Sequence, residues 1–243
     1  MNDQILFVWD FHGVLEKGNE KSVEELCNLV LKDFGFERRI NLKEVVDWYG
    51  LNWLDYFKLT VPEGTPELWQ KMKEKVLSFQ ERGWEIIKKN IKAREFAKSV
   101  LEKIKNKGHQ NILLTNAQPE HAKKFTELIG INTYLDAIIG VDSPYDSRRK
   151  DEIHIVKGDN LTSFLNGKEY RKIVLIGDKE SDIKAGKICR AATYLFVDPE
   201  NANAEKETEA DYTISDLREV LRKLIVGEFE FLKAGKVVET RKK

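Results

Sequence analysis

The chain has 243 residues, and 41 acidic side chains balance 41 basic ones, so the formal net charge is zero. Hydrophobic residues make up 41 % of the sequence, which is enough for a sizeable core in one large domain or two smaller ones. With 5 Pro and 15 Gly, the composition excludes a collagen-like chain. The balanced charge argues against nucleic acid as a main partner.

The sequence predicts a cytoplasmic protein. No stretch approaches the ~18 consecutive apolar residues of a membrane span, and no basic leader precedes an apolar segment at the N-terminus. Cys27 and Cys189 are expected to be free thiols in a reducing compartment. Abundant Lys and Glu with few Gln favour a thermophilic source, and the oligomeric state is left open.

Short apolar runs recur along the chain and predict the strands of a parallel sheet. The first run, residues 5–9, ends directly at Asp10. Helical patterns lie between the runs, and this alternation implies right-handed crossovers with helices on both faces of the sheet. Further runs lie at 112–114, 137–139, 173–176 and 194–197, and residues 210–214 resemble an edge strand before a last helix.

The interval 17–95 interrupts this alternation and predicts a helical insertion. Its apolar residues recur at helical spacing, and it contains no convincing strand. Trp48, Trp53, Trp69 and Trp84 lie in it and are expected to pack between helices. We therefore expect an α/β core with a Rossmann-like parallel sheet over residues 1–16 and 96–243, and an all-helical domain over 17–95.

Polar residues follow several of the predicted strands, at the edge where open α/β sheets bind ligands. Asp10 comes directly after the first strand, and Gly13 allows a sharp turn there. Thr115 and Asn116 follow the strand 112–114, where a hydroxyl and backbone N–H groups could hold a phosphoryl oxygen. Taken alone, Thr115 is better explained as a helix N-cap.

Two carboxylates four residues apart, Asp178 and Asp182, follow the strand 173–176. Such a pair suits a hard cation such as Mg²⁺, although Asp182 could also cap a helix. A carboxylate cluster beside a phosphate needs a compensating cation, and Lys157 and Lys150 are the two candidates.

In this order the four groups resemble the haloacid dehalogenase superfamily, whose fold is a Rossmann-like sheet with an inserted cap. The matching motifs are DFHGVL at Asp10, LLTNA at Thr115, VKGDN at Lys157, and LIGDKESDIKAG with Asp178 and Asp182. The likeness covers nearly the whole chain, and residues 17–95 are similar to the superfamily's helical C1 cap.

The resemblance implies a Mg²⁺-dependent phosphatase that acts on a small phosphorylated metabolite. Asp10 would be the nucleophile and would form an aspartyl-phosphate that water then hydrolyses. The implied sets are catalytic Asp10, His12 and Lys157; phosphate-binding Thr115, Asn116 and Lys157; and metal-binding Asp10, the His12 backbone carbonyl, Asp178 and Asp182.

His12 departs from the superfamily pattern, since its phosphatases usually carry a second Asp at this position. Imidazole titrates near neutral pH and could pass a proton to a leaving alkoxide. Alternatively, the chain has lost turnover and binds a phosphorylated ligand as a regulatory protein. A metal-free dehalogenase would not be expected to keep Gly177 and Asp178, and a phosphonate hydrolase would need a cap lysine that the sequence does not single out.

Overall fold

The computed structural model describes residues 3–48, 51–140, 152–200 and 209–222. Lys150, the rival motif lysine, and the C-terminal part of the predicted last helix lie outside these residues. The strands are β1 (Ile5–Trp9), β2 (Glu16–Lys17), β3 (Lys92–Ala93), β4 (Gln110–Leu114), β5 (Ala137–Ile139), β6 (Lys172–Gly177), β7 (Ala192–Phe196) and β8 (Tyr212–Ile214).

Helices connect these strands. They are α1 (Asn19–Asp33), α2 (Leu42–Asp47), α3 (Trp53–Thr60), α4 (Pro66–Leu77), α5 (Gln80–Asn90), α6 (Ala97–Asn106), α7 (Pro119–Leu128), α8 (Ile153–Leu165) and α9 (Glu180–Ile188).

Six of the strands form one sheet in the order β5-β4-β1-β6-β7-β8, with every neighbouring pair parallel. Strand β1 is central, and Trp9 at its end is in register with Leu113 of β4 and Ile176 of β6. All residues of β1 are buried, as expected for a strand covered on both faces. The carboxyl ends of three adjacent strands therefore meet at one edge.

Successive residues of β1 belong to two different apolar clusters. Phe7 and Trp9 pack in one cluster with residues of α6 and α7, whereas Leu6 and Val8 pack in the other with Leu161 of α8. The alternation arises because successive side chains of a strand point to opposite faces of the sheet. Helices thus cover both faces, and only the sheet's edges and ends are left for a site.

Residues 17–95 form a helical segment with an apolar cluster of its own. Phe57 and Met72 are fully buried in that cluster, and Trp48, Trp53 and Trp69 pack against it. Trp84 of α5 instead packs on the core, with its ring 5.2 Å from that of Phe125 in α7. These tryptophans thus contribute to packing between helices.

A small two-stranded sheet lies where the chain leaves the core and returns to it. Glu16 of β2 pairs with Ala93 of β3, and Lys17 pairs with Lys92, in an antiparallel register. The expectation that residues 17–95 contain no strand was therefore wrong at both ends of the interval. Strands of two residues are too short to show the alternating pattern by which a strand is predicted.

Two further predictions concern membranes and thiols. In the described ranges, every helix is too short or too polar to span a bilayer. Cys27 is a buried free thiol in the helical segment, and Cys189 is a half-buried free thiol after α9.

Candidate active site

The polar residues predicted after the strands meet at the carboxyl end of the sheet. Asp10 follows β1, and its backbone N–H donates to the carbonyl of Ile176 in β6 over 2.8 Å. Thr115 follows β4, and its N–H donates to Ile139 in β5 over 2.9 Å. These ladder bonds continue the sheet by one residue and fix where the Asp10 and Thr115 side chains begin.

Two glycines allow the carboxylates of this site to approach closely. Gly13 has φ +86°, and a Cβ there would lie 2.6 Å from Oδ2 of Asp178. A Cβ on Gly177 would lie 2.1 Å from the Cβ of Asp182. Any larger residue would displace one of these acidic side chains, which explains a glycine at both positions of the motifs.

Lys157 lies between two carboxylates. Its Nζ is 2.6 Å from Oδ1 of Asp10 and 2.6 Å from Oδ1 of Asp182, and the residue is 3 % exposed. The following Gly158 lets α8 pack tightly on α9, since a Cβ there would lie 2.7 Å from Cδ1 of Ile188. The Lys-Gly pair thus combines a cation with the close helix contact that brings it to the sheet edge.

Asp182 uses its two carboxylate oxygens for different partners. Oδ1 accepts the bond from Lys157, and Oδ2 accepts a bond from the backbone N–H of Lys179 over 3.2 Å. The second bond caps the start of α9, so the helix-capping interpretation of Asp182 is correct as well. One side chain therefore both stabilises the helix start and positions the buried ammonium.

Burial dominates the titration of the acidic groups here. It raises the pKa of Asp10 from 3.8 to about 6, although Lys157 acts in the opposite direction. Burial, then Asp10 and Asp182, raise the pKa of Asp178 well above its usual range. Burial alone would lower the pKa of Lys157, but the carboxylates of Asp10 and Asp182 outweigh it and raise that pKa. Lys157 alone cannot balance the carboxylates of Asp10, Asp178 and Asp182. This edge of the sheet therefore keeps an excess of negative charge.

The acidic cluster fits a hard divalent cation. Asp10, Asp178 and Asp182 each offer a carboxylate oxygen, and these atoms lie within 4.8 Å of one another. Oxygen donors at such spacing are what Mg²⁺ prefers, and the cation would offset the charge that Lys157 leaves unbalanced. The carboxylate of Asp178 accepts no hydrogen bond from the residues that the structure describes, so it is available as a ligand.

His12 is held by a buried carboxylate. Its Nδ1 lies 2.7 Å from Oε1 of Glu16, which is fully buried. The imidazole also packs edge-on against Phe11 and Phe125, with ring centroids 4.9 and 5.2 Å away. The ring is therefore fixed on three sides, as a group with a defined role would be.

Thr115 and Asn116 lie in the turn between β4 and α7. The Thr115 hydroxyl accepts a bond from the N–H of Ala117 over 3.2 Å, and the residue is buried. The N-cap of α7 is Gln118. The interpretation of Thr115 as the N-cap of this helix is therefore wrong. Asn116 is half-buried beside it.

Comparison with known proteins agrees with this arrangement. A family model described as haloacid dehalogenase-like hydrolase matches residues 7–195. The chain belongs to the haloacid dehalogenase-like hydrolase family. The superfamily resemblance drawn from the motifs is thereby confirmed, and the chain is a member of a hydrolase family.

Individual relatives of this haloacid dehalogenase-like hydrolase are distant. A phosphoglycolate phosphatase from Aquifex aeolicus is 30 % identical over 95 residues, which are 39 % of this chain and 42 % of that protein. A predicted phosphoglycolate phosphatase from Haemophilus somnus superposes with a TM-score of 0.75 at 17 % identity, over 92 % of this chain and 99 % of that one. An archaeal β-phosphoglucomutase from a hyperthermophilic Pyrococcus gives 0.61 at 20 % identity, over 92 % and 100 %. These structures confirm the predicted α/β fold.

Sequence reasoning missed two residues of this haloacid dehalogenase-like hydrolase. Glu16 holds His12 but lies in a stretch where an acidic residue carries no special signal. Arg94, which follows β3, donates from Nη2 to the carbonyl of Gly13 and to Asp198, both over 2.9 Å. Asp198 is distant in sequence, so only the folded arrangement reveals the pairing.

Proposed function

We propose that this chain is a Mg²⁺-dependent phosphatase that hydrolyses a small phosphorylated metabolite through an aspartyl-phosphate on Asp10. The observation that carries the proposal is the contact of Asp10 with the buried ammonium of Lys157, 2.6 Å away, beside Asp178. A carboxylate can attack a phosphate anion only where cations offset the repulsion and hold both groups in place. The phosphatase named among the relatives supports the same activity.

Asp10, the backbone carbonyl of His12, Asp178 and Asp182 are proposed to hold the metal. When bound, Mg²⁺ would neutralise negative charge on the carboxylates and on a phosphoryl oxygen. Thr115 and the N–H of Asn116 are proposed to bind the remaining phosphoryl oxygens. Lys157 would bridge Asp10 and the phosphate, and Asp182 would keep the ammonium oriented.

The reaction has two displacements at phosphorus. In the first, a carboxylate oxygen of Asp10 bonds to phosphorus, the ester P–O bond breaks, and protonated His12 donates a proton to the departing alkoxide. In the second, His12 accepts a proton from the attacking water, the Asp10–phosphorus bond breaks, and inorganic phosphate leaves. Asp10 and His12 then return to their starting states.

The helical segment, residues 17–95, is proposed to act as a cap that closes over the substrate. Closure of such a lid excludes water and adds contacts to the leaving group. The small β2–β3 sheet supports this role, since it joins the segment to the core at both chain crossings. The cytoplasmic location and the thermophilic source stay predictions from composition.

The decisive assay is release of phosphate from p-nitrophenyl phosphate with and without Mg²⁺. The wild type is expected to turn over only with the metal, and Asp10→Asn is expected to be inactive because an amide cannot form the phosphoenzyme. Equal rates from the wild type and Asp10→Asn would contradict the assignment of Asp10 as the nucleophile. Trapping of a phosphorylated Asp10 by rapid acid quench tests the intermediate directly.

A second candidate is a phosphoryl-ligand binder that lost turnover with the Asp usual at position 12. The bond between His12 and the buried Glu16 favours an imidazole with a working role. His12→Asp separates the two candidates. A large gain in activity would favour an impaired scaffold, whereas a loss would make His12 a working proton shuttle.

A further inference from the structure

A cleft between the helical segment and the carboxyl end of the sheet has room for a small organic ligand. Its volume is about 620 Å³. Gly13 and Asp178 line it on the core side, and Lys21 of α1 and Lys43 of α2 line it from the helical segment. A molecule in this cleft would therefore reach the candidate active site and the helical segment together.

Arg94 is a buried cation of this cleft with donor capacity to spare. It is 7 % exposed, and among the described residues its hydrogen bonds are those from Nη2 to Gly13 and Asp198. Its Nε is buried and has no acceptor in the part of the chain that the structure describes. An unsatisfied buried donor is costly, and guanidinium binds carboxylate or phosphate through two parallel bonds. Because Nε has almost no accessible surface, an anion in the cleft would bind the terminal nitrogens of Arg94, of which Nη1 forms no hydrogen bond with a described residue.

The remaining charges of the cleft are also unbalanced. Asp198 pairs with Arg94 over 2.9 Å, and Lys17 is shared between Glu95 over 2.7 Å and Glu200 over 3.7 Å. Four lysines that line the cleft form no salt bridge with any residue in the described ranges, and they are Lys21, Lys43, Lys92 and Lys179. Glu20 and Asp178 are the other acidic groups, and Asp178 belongs to the proposed metal site. The cleft thus carries a surplus of positive charge beside the phosphoryl position.

We infer that the cleft binds a second anionic group of the substrate. The substrate is then a phosphomonoester whose alcohol part carries a carboxylate or another phosphate, and Arg94 and Lys43 hold that group. The inference rests on the proposed function, because it takes the first phosphoryl group to lie at Asp10. The guanidinium carbon of Arg94 lies 4.6 Å from the centroid of the Phe196 ring, and this cation–π contact helps to hold the group at the cleft.

Matched substrates test the inference. The ratio of kcat/KM for 3-phosphoglycerate over glycerol 3-phosphate measures a carboxylate against a hydroxymethyl group. The ratio for fructose 1,6-bisphosphate over fructose 6-phosphate measures an added phosphate. The wild type is expected to prefer the more anionic member of at least one pair by about tenfold or more, since a charge-assisted hydrogen bond contributes that much. The preferred pair identifies the anion.

Variants locate the group responsible. Lys43 is exposed, so Lys43→Gln should fold normally, and it should raise KM about three- to tenfold for the anionic substrate. Arg94→Lys keeps the charge and removes the planar fork, and it should reduce the preference further. Lys71→Gln, an exposed change on α4 outside the cleft, is the control and should leave both ratios unchanged.

Calorimetric binding to Asp10→Asn separates this inference from the proposed function. Tighter binding of the more anionic member of a substrate pair would support anion binding in the cleft. This holds whether or not the wild type shows phosphatase activity. If the wild type hydrolyses p-nitrophenyl phosphate but neither rates nor binding distinguish the members of either pair, the cleft inference is wrong and the phosphatase stands. If p-nitrophenyl phosphate is not hydrolysed, the proposed function fails, and the binding preference alone decides about the cleft.

Discussion

Nδ1 of His12 lies 2.7 Å from the carboxylate of Glu16, a residue with no exposed surface. A carboxylate at this distance selects the imidazole form that carries a proton on Nδ1. Glu16 would thus be a positioning residue that acts through His12, comparable to the carboxylate that orients a catalytic histidine in other hydrolases.

Glu16→Gln is expected to slow hydrolysis of an alkyl phosphate about ten- to a hundredfold, because an amide can donate to or accept from Nδ1 and so no longer fixes the orientation and tautomer of His12. The kcat/KM for p-nitrophenyl phosphate, which reports the first displacement alone, should fall much less, since p-nitrophenolate leaves without a proton. Steady-state rates on both esters check this. The effect should vanish in a His12→Asn background, where the two changes cannot be additive.

Glu127→Gln, an exposed change on α7, is the matched control for the loss of a carboxylate. It should leave both rates at the wild-type level. An equal fall in kcat/KM for the two esters in Glu16→Gln would contradict the positioning role and indicate a structural one.

Lys157→Met is expected to lower the free energy of unfolding at pH 7.5 by about 3–5 kcal/mol, because it leaves Asp10 and Asp182 without their buried partner. The loss should shrink at pH 5, where the uncompensated carboxylates can take up protons. Chemical denaturation at the two pH values measures both. Lys103→Met on the exposed face of α6 is the control, and equal stability of the two variants at pH 7.5 would contradict the buried bridge.

Magnesium is expected to stabilise the protein more at pH 7.5 than at pH 5.5. In the metal-free fold the pKa of Asp10 is raised from 3.8 to about 6, so protonation favours the folded state, and stability is lost as the pH rises through that interval. Asp178, whose pKa is also raised, adds to this loss. At pH 7.5 a bound cation would offset the repulsion between the ionised carboxylates and so regain the lost stability. At pH 5.5 bound protons already reduce that repulsion. Thermal melting with and without 5–10 mM Mg²⁺, roughly a saturating amount for a weak site, measures the difference.

An Mg²⁺-induced increase in Tm that is the same at both pH values, or none at all, would count against these carboxylates as ligands. Asp178→Asn should abolish the increase, because the amide oxygen is neutral and a weaker ligand than a carboxylate.

Gly13→Ala is expected to abolish the response to Mg²⁺, because its Cβ would press on Oδ2 of Asp178. Gly108→Ala is a matched control. Gly108 has φ +81°, close to the +86° of Gly13, but a Cβ there meets no atom within 4 Å. Both changes should share a backbone cost of about 1–2 kcal/mol. Only Gly13→Ala should also lose phosphatase activity, and similar activities would contradict the role assigned to this close contact.

The local signals in the sequence predicted much of the core. The strands after which Asp10, Thr115 and Asp178 lie are short apolar runs, and such runs predict buried parallel strands because both faces of the sheet are covered. Because these strands are parallel neighbours, the residues that follow them lie at the same edge of the sheet. Lys157 was expected at the site by its place in the motif, and its 2.6 Å bonds agree with that expectation.

Other features depend on contacts that local patterns do not show. Glu16 is one of many glutamates, and its burial against His12 follows from the turn after β1 and from its pairing with Ala93. Arg94 follows β3 and Asp198 follows β7, and the two side chains meet only in the folded chain. The strands β2 and β3 have two residues each, too few for any periodicity.

Glu16 accepts the hydrogen bond of His12, and it is also the first residue of β2. The chain passes through this strand from the core into the helical segment. Any swing of that segment about the small sheet would pull on the same carboxylate that aligns the imidazole. Opening of the helical segment to release product would then also move the carboxylate that orients His12. A substrate would meet a correctly oriented His12 only when the helical segment has closed on the core.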